Sequence, residues 1–356
     1  MRRLMLQALA LTALVGAALG ATASAVDACA GLIGSNGAVN LGRTTTLAAY
    51  HDGVEHYVTA FQFLGGGGQF GTLIPLPDVP TSVERGGAWT LQRLNRETEQ
   101  RRFEALAAAP AGRASDKAEV LQQVRIDALD VTVLKGGGAS VASWASEHGF
   151  RLSPDAPEVL DFYAARSPIF LAAVFDGEAA AQRGQRIGDG TPVHLTIPTS
   201  NPWVPLRILA LGKQPTDRVD ADVYLLTDDM PALLPGPRAG LDLLHNAPAT
   251  KSLLDDLRSD AGMSWVPRSA WLTKLRIDQP ASDLRYDLAV DASGRGEPSP
   301  VAAGLASAAT AEGASFPWAL AGTGALLVGL VATSVKMRRG RGAQLCAPTV
   351  EPESRS

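Results

Sequence analysis

The sequence predicts an α+β domain built mainly on antiparallel sheet and carried between two membrane-related terminal segments. Three observations predict it. Short runs rich in β-branched and aromatic residues are joined by Asp-Gly and Gly-rich turns. Helix-favouring runs stand in separate stretches and do not alternate regularly with the strands. Apolar segments with basic flanks lie near both ends of the chain.

At the N-terminal end, Arg2 and Arg3 precede an apolar run from Leu4 to Leu19, and Ala23-Ser24-Ala25 supplies small residues for cleavage. These parts in this order predict a signal peptide over residues 1–25. At the other end, Pro317 to Val335 contains no charged residue. Its length, about 28 Å as a helix, matches the hydrocarbon core of a bilayer. Trp318 stands at the start of the run, and Lys336, Arg338, Arg339 and Arg341 follow its end. An interfacial aromatic and a basic cytoplasmic flank predict one transmembrane helix over 317–335 with a basic tail, 336–356, inside. Gly322, Gly324 and Gly329, with Ala321 and Ala325, give this span a small-residue surface suited to helix pairing or membrane assembly. The expected location is therefore the cell membrane, crossed once, with the N-terminal domain extracytoplasmic. Residues 295–316, rich in Ala, Gly, Ser and Pro, read as a flexible stalk.

The domain itself should span residues 26–294. Thr44–His51 and Val54–Leu64 read as strands around Asp52-Gly53, a hairpin signal. Gln69–Leu76 is another strand, after a turn at Gly65–Gly68 and before a proline-studded segment. Trp89–Ala108 favours helix, and Arg125–Leu134 reads as a single strand. Ala139–His148 and Pro157–Ala165 read as helices separated by a stop at Gly149. Ile169–Phe175, Val193–Ile197, Leu206–Leu211 and Asp222–Leu226 are predicted strands, followed by helix over Leu253–Ser259. Ala270–Ile277 and Asp283–Val290 close the domain as strands.

With a net charge of −4 at neutral pH, the chain lacks the basic face expected of a nucleic-acid binder. Cys29 and Cys346 lie on opposite sides of the membrane in this topology, so no intramolecular disulfide is expected. Gly66 to Gly71 matches G-x-G-x-x-G, but Thr72-Leu73-Ile74-Pro75 cannot open the helix a dinucleotide site requires. Lys135 to Ser140 joins a strand to a helix and lacks the length and terminal lysine of a phosphate loop. His51 and His56 flank the hairpin turn and face each other across it, two imidazoles without a third ligand. His148, His194 and His245 stand alone in the sequence. Asp217, Asp220 and Asp222 read as a solvated strand start without the spacing of a calcium loop. No catalytic, cofactor-binding or metal-ligating residue is assigned on these signals, and no cofactor is expected.

Several blocks carry a family resemblance. These are Cys29-Ala30-Gly31-Leu32; Phe61-Gln62-Phe63 and Phe70-Gly71 leading to Ile74-Pro75-Leu76-Pro77-Asp78-Val79-Pro80; Trp144, His148-Gly149-Phe150 and Phe162-Tyr163; and Leu272 to Arg276. Together they resemble the bacterial family catalogued as DUF2330, whose function is uncharacterised. The resemblance implies an exported, often membrane-anchored protein and implies no catalytic residue. Relatives with a second cysteine soon after the first contrast with Ile33 and Gly34 here. The expectation is a binding or structural protein of the envelope with a protein or cell-wall partner. An extracytoplasmic hydrolase with an unrecognised site is the alternative, and the oligomeric state is left open.

Overall fold

A computed structural model describes residues 31–34, 37–38, 43–62, 69–99, 119–184 and 190–307. The predicted signal peptide, the transmembrane span, the basic tail and both cysteines lie outside these residues. Among the described residues no helix is long and apolar enough to cross a membrane.

The strands are β1 (Gly31–Gly34), β2 (Gly37–Ala38), β3 (Arg43–His51), β4 (Val54–Gln62), β5 (Gln69–Leu76) and β6 (Ser82–Arg85). After helix α1 (Thr90–Thr98) come β7 (Glu119–Ile126), β8 (Leu129–Lys135), helices α2 (Gly138–Glu147) and α3 (Ala156–Ala164), and β9 (Ile169–Asp176). Helix α4 (Gly177–Gln182), β10 (Gly190–Pro198), β11 (Trp203–Val204), β12 (Arg218–Thr227), β13 (Ala232–Leu234) and β14 (Leu241–Pro248) follow. Helix α5 (Lys251–Ser259), β15 (Trp271–Pro280) and β16 (Leu288–Asp291) complete the set. The architecture is α+β, as expected.

A seven-stranded sheet runs β14-β15-β12-β3-β4-β10-β6, and a six-stranded one β2-β1-β5-β9-β8-β7. All pairings are antiparallel except β3 with β12. Because successive strand residues face opposite ways, each sheet buries two different apolar sets. Tyr57, Leu195, Val223 and Leu225 of the larger sheet meet Val131, Val133, Leu171 and Ala173 of the smaller in the central core. Leu47, Tyr224 and Leu226 face outward onto Leu91 and Leu94 of α1 and Leu253 and Leu257 of α5. On the other side, Leu73, Phe170 and Ala172 pack on Val141 and Trp144 of α2 and Leu160 and Tyr163 of α3. Two helices thus cover each outer face, giving four layers. A small sheet, β11-β16-β13, sits where the central and α2–α3 cores meet, since Val204 and Leu288 belong to one and Trp203 and Ala289 to the other.

The proline-studded end of β5 has a positional reason. Among the described residues β1 pairs with Phe70 to Leu73, whereas β9 runs along to Leu76. Among the described residues Pro75 therefore has a strand partner on the β9 side, Phe170, and sheets tolerate proline where one side of the strand is unpaired.

Several predicted elements differ. Arg125–Leu134 is not one strand: it holds the end of β7, a turn at Asp127 (φ 54°) and most of β8, which pair as a hairpin. Leu206–Leu211 is not a strand: Arg207–Ala210 forms a 3-10 helix. Its N-terminal N–H groups are held by buried side chains: Leu206 and Arg207 donate to Asp287 Oδ1 (2.7 and 2.9 Å) and Ile208 to Tyr163 Oη (2.8 Å). Asp283–Val290 begins on the last residue of a 3-10 turn, Ala281–Asp283, continues irregularly and becomes strand only from Leu288. The predicted helix Trp89–Ala108 is observed from Thr90 to Thr98, and its remainder lies largely outside the described residues. The stalk also departs from expectation at its start. Ala302 and Ala303 are buried, Asp287 N donates to Ala303 O (3.0 Å), and Arg166 Nη1 donates to Ala302 O (2.5 Å). Residues 299–306 are therefore part of the packed domain.

Asp287 collects the helical turn, α3 and this segment. It is fully buried, receives Tyr163 Oη at 2.8 Å on Oδ1, and is paired with Arg166 Nη2 at 2.5 Å on Oδ2. Burial pushes its carboxyl above the ordinary value, opposed by the Arg166 guanidinium. Asp287→Asn leaves a buried guanidinium without its counter-charge and should cost about 3–5 kcal/mol of unfolding free energy. Urea denaturation at neutral pH measures it; a loss below about 1 kcal/mol would contradict the tie described here.

Candidate functional site

The β3–β4 hairpin turns at Asp52 (φ 49°) and Gly53 (φ 78°), the doubly left-handed turn that Asp-Gly favours. Strand alternation then separates the residues beside it. Tyr50 and Glu55, paired in register, point into the central core, and Thr227 joins them from β12 beside Tyr50. His51 and His56 point to the opposite face.

On the inner face Ala48, Leu225, Pro202, Trp203, Val204 and Val290 close around Glu55, Tyr50 and Thr227. The space left open to a water centre is about 10 Å3, room for about one molecule. Glu55 is 1% exposed, and neither carboxyl oxygen has a partner at hydrogen-bonding geometry. Burial raises its carboxyl to about 8, outweighing the Trp203 backbone N–H, which favours the ionised form. Tyr50 Oη donates to Thr199 O at 2.9 Å, and Thr227 Oγ1 to Asp229 O at 2.7 Å. The Tyr50 phenol is itself raised, by burial first and then by Glu55, Asp228 and Asp291.

On the outer face His51 Nδ1 meets Asp228 Oδ1 at 2.5 Å near solvent. His56 turns away from His51 and pairs with His194 of β10, Nδ1 to Nε2 at 2.9 Å. Trp265, from the loop after α5, stacks on His56 at 4.0 Å and 3° and lies 5.1 Å from His194. Burial lowers both imidazoles to about 4, with the charge of His51 adding to the effect on His56 and that of His56 to the effect on His194. Neutral rings suit this contact, one donating and the other accepting. Two nitrogens on one tetrahedral zinc stand about 3.3 Å apart, so the pair fits a shared proton better than a shared metal. Among the described residues no group of three or more His, Cys, Asp or Glu is placed to hold a metal.

The other sequence candidates have structural partners. Gln69–Leu76, after the glycine run, is strand β5 and opens no helix. Gly138 N, the first N–H of the helix after Lys135, is held by Asp161 Oδ1 at 3.2 Å. His148 bonds Trp144 O at 2.8 Å and stacks on its ring. Of the aspartates read as solvated, Asp217 accepts from Gln214 N at 2.8 Å and Asp220 from Arg276 Nη2 at 2.9 Å. Asp222 is 2% exposed and faces Lys274 Nζ at 3.5 Å, itself 1% exposed. That buried pair corrects the reading of a solvated strand start for Asp222. Sequence reasoning also left His194 alone and passed over Glu55. A signal for Glu55 existed, since it lies in phase with Tyr57 on a strand whose phase is buried. His194 needed the β4–β10 register, which spans 138 residues.

The family described as "Uncharacterized protein conserved in bacteria (DUF2330)" matches residues 23–230, more than half of the chain. The chain belongs to the DUF2330 family. The match contains both faces of the hairpin site except Trp265 and Val290. No curated protein matches the chain. Among solved structures, a mutated baculovirus P35 after caspase cleavage is similar at 10% identity and a TM-score of 0.39, covering 70% of this chain and 99% of that one. A caspase-8/P35 complex is similar at 9% identity and a TM-score of 0.37, covering 71% and 96%. Likeness this distant carries neither fold nor function.

The two faces titrate in opposite senses. Glu55 holds its proton more tightly folded (about 8) than at the ordinary value of 4.5, so its contribution to stability is complete below pH 4.5 and lost as pH rises through about 8. The histidines, at about 4 against 6.5, contribute stability that is complete above pH 6.5 and lost as pH falls through about 4. Urea unfolding of wild type and Glu55→Gln across this range should show wild type losing stability relative to the variant as pH rises toward 8. Parallel curves would refute the assignment.

Proposed function

We propose that this chain is an exported bacterial envelope protein, anchored through residues 317–335, whose domain works by binding a protein or cell-wall partner. The observation that carries binding over catalysis is the closure around Glu55. This carboxyl is the strongest chemical candidate, yet the pocket its residue lines has space for about one water molecule. Organic substrates occupy pockets of about 300–1,000 Å3, far larger than this. The leader-like residues 1–25 and the basic flank after Val335 support the location.

A hydrolase is the second reading, and one observation favours it. A carboxyl at about 8 is in the range where a general acid or base operates. Opening of the wall formed by Trp203 and Val290 would be required first.

Alkaline phosphatase fused after Ser307 should be active in a bacterial host, and the same reporter fused after Ser356 inactive. The reverse pattern would overturn the topology. Cross-linking of the anchored chain in its own membrane should recover one reproducible protein or wall fragment. Turnover of a peptide, ester or glycan substrate that Glu55→Gln abolishes would replace binding with hydrolysis.

A further inference from the structure

Trp265 belongs to the loop between α5 and β15, which crosses the outer face of β4 and β10 and reaches β6. Three side chains seat this loop: Met263 and Val266, buried in the core under α1 and α5, and Trp265, flat on His56. At Gly262 (φ 80°) the backbone passes so close to the Arg85 carbonyl that a side chain would collide with it. Towards β15, Arg258 Nη1 holds Pro267 O at 2.6 Å and Ala249 N donates to Ala270 O at 2.9 Å.

We infer that residues 261–266 form an acid-released strap, latched at neutral pH by the hydrogen bond that His56 and His194 share beneath Trp265. The latch follows from the contact itself. His56 Nδ1 and His194 Nε2 stand 2.9 Å apart, so one ring donates there and the other must offer a lone pair. A first proton, taken by the donor ring, leaves that bond in place. A second puts hydrogen on both facing atoms and positive charge on both rings, and the pair must part. Nothing buried beside it accepts the new hydrogens. His194 is 3% exposed, and its Nδ1 has no hydrogen-bond partner among the described residues. Trp265 Nε1, buried in the same state, is a donor and cannot accept from an imidazolium.

The charged groups of the surrounding elements do not offset the charge. His51, at the end of β3, opposes protonation of His56. Glu84 of β6 stands opposite His194 in register but is exposed, where water screens it. Asp260 is spent on the Ala88 and Trp89 N–H groups and the Thr90 hydroxyl. Arg258 of α5 pairs with Asp255, Arg268 is an exposed cation, and Glu55 faces the other core. Strand alternation confines the effect to one face. Tyr57 and Leu195, next in sequence to the two histidines, are sealed in the central core, and β4 pairs with β10 along its whole length. Charging the pair therefore lifts the strap and leaves the sheet, baring an indole and two charged rings that are covered at neutral pH.

The latch is complete above the ordinary imidazole value of 6.5 and is lost as pH falls through about 4. Amide hydrogen exchange of the purified full chain over that interval, each rate divided by its intrinsic value, is the test. Opening takes up at most two protons, so exchange at Met263 and Val266 should rise by up to about a hundredfold per unit fall in pH. Val223 and Leu225 of β12 should keep their protection. In the double variant His56→Asn, His194→Gln, whose amides replace the facing nitrogens and do not titrate, the rise should vanish. Exchange at Met263 and Val266 that is flat with pH, rises equally in the variant or rises together with β12 would overturn the inference.

If the double variant does not fold, the ring resonances of the wild-type histidines decide. His56 and His194 should become charged over the same interval in which Met263 and Val266 lose protection. A strap that opens while both rings stay neutral, or stays closed after both are charged, refutes the latch.

Discussion

The arrangement of the α2–α3 side of the domain depends on one buried carboxylate. Asp287 enters a four-way contact just before β16: a guanidinium from the end of α3, a phenol from within α3, and two N–H groups that open the 3-10 helix at Arg207. Its own N–H is spent on Ala303, so residues 299–306 are drawn onto the same point. Arg166 lies 4.1 Å from the Phe162 ring centroid and 4.9 Å from that of Trp203, which adds cation–π contacts to its pairing. A lone charge in this position would be costly. Joined to four protein groups, with its backbone N–H on a fifth, Asp287 fixes how α3, the small sheet and the end of the domain sit together.

The same logic recurs on the other side of the sandwich. Lys274 and Asp222 lie under α1, where Asn95 Oδ1 also accepts from Tyr224 Oη at 3.0 Å. Asp260 reaches back from the end of α5 to the start of α1, locking the two covering helices to each other. Gly87 is part of that junction: a side chain there would run into the Thr90 hydroxyl and the Asp260 carboxylate. Long-range polar ties of this kind set the geometry of each helical layer, while the apolar faces supply most of the driving force for packing.

Local signals were legible where local chemistry decides the structure. Asp52-Gly53 gave a hairpin because both positions take positive φ, and Gly149 ended a helix at φ 78° for the same reason. Leu206–Leu211 has the composition of a strand, but its N–H groups are claimed by Asp287 and Tyr163, residues remote in sequence. Composition could not reveal that competition. β14 escaped notice because an edge strand has little burial pattern, and its register slips between Leu243 and His245. The candidate site was half visible. His56 was noted on the correct strand, but its partner follows from the β4–β10 register, and alternation alone placed His51 and His56 on one face without deciding which neighbour each would meet.

Glu55 and His56 are consecutive residues that enter different cores, and their environments act on them in opposite senses. Burial keeps the carboxyl protonated up to about 8 and the imidazole unprotonated down to about 4. Between those limits the hairpin end carries no buried charge on either face, although it is built from groups that ionise readily in water. The interval is wide because desolvation opposes whichever form is charged, anion or cation.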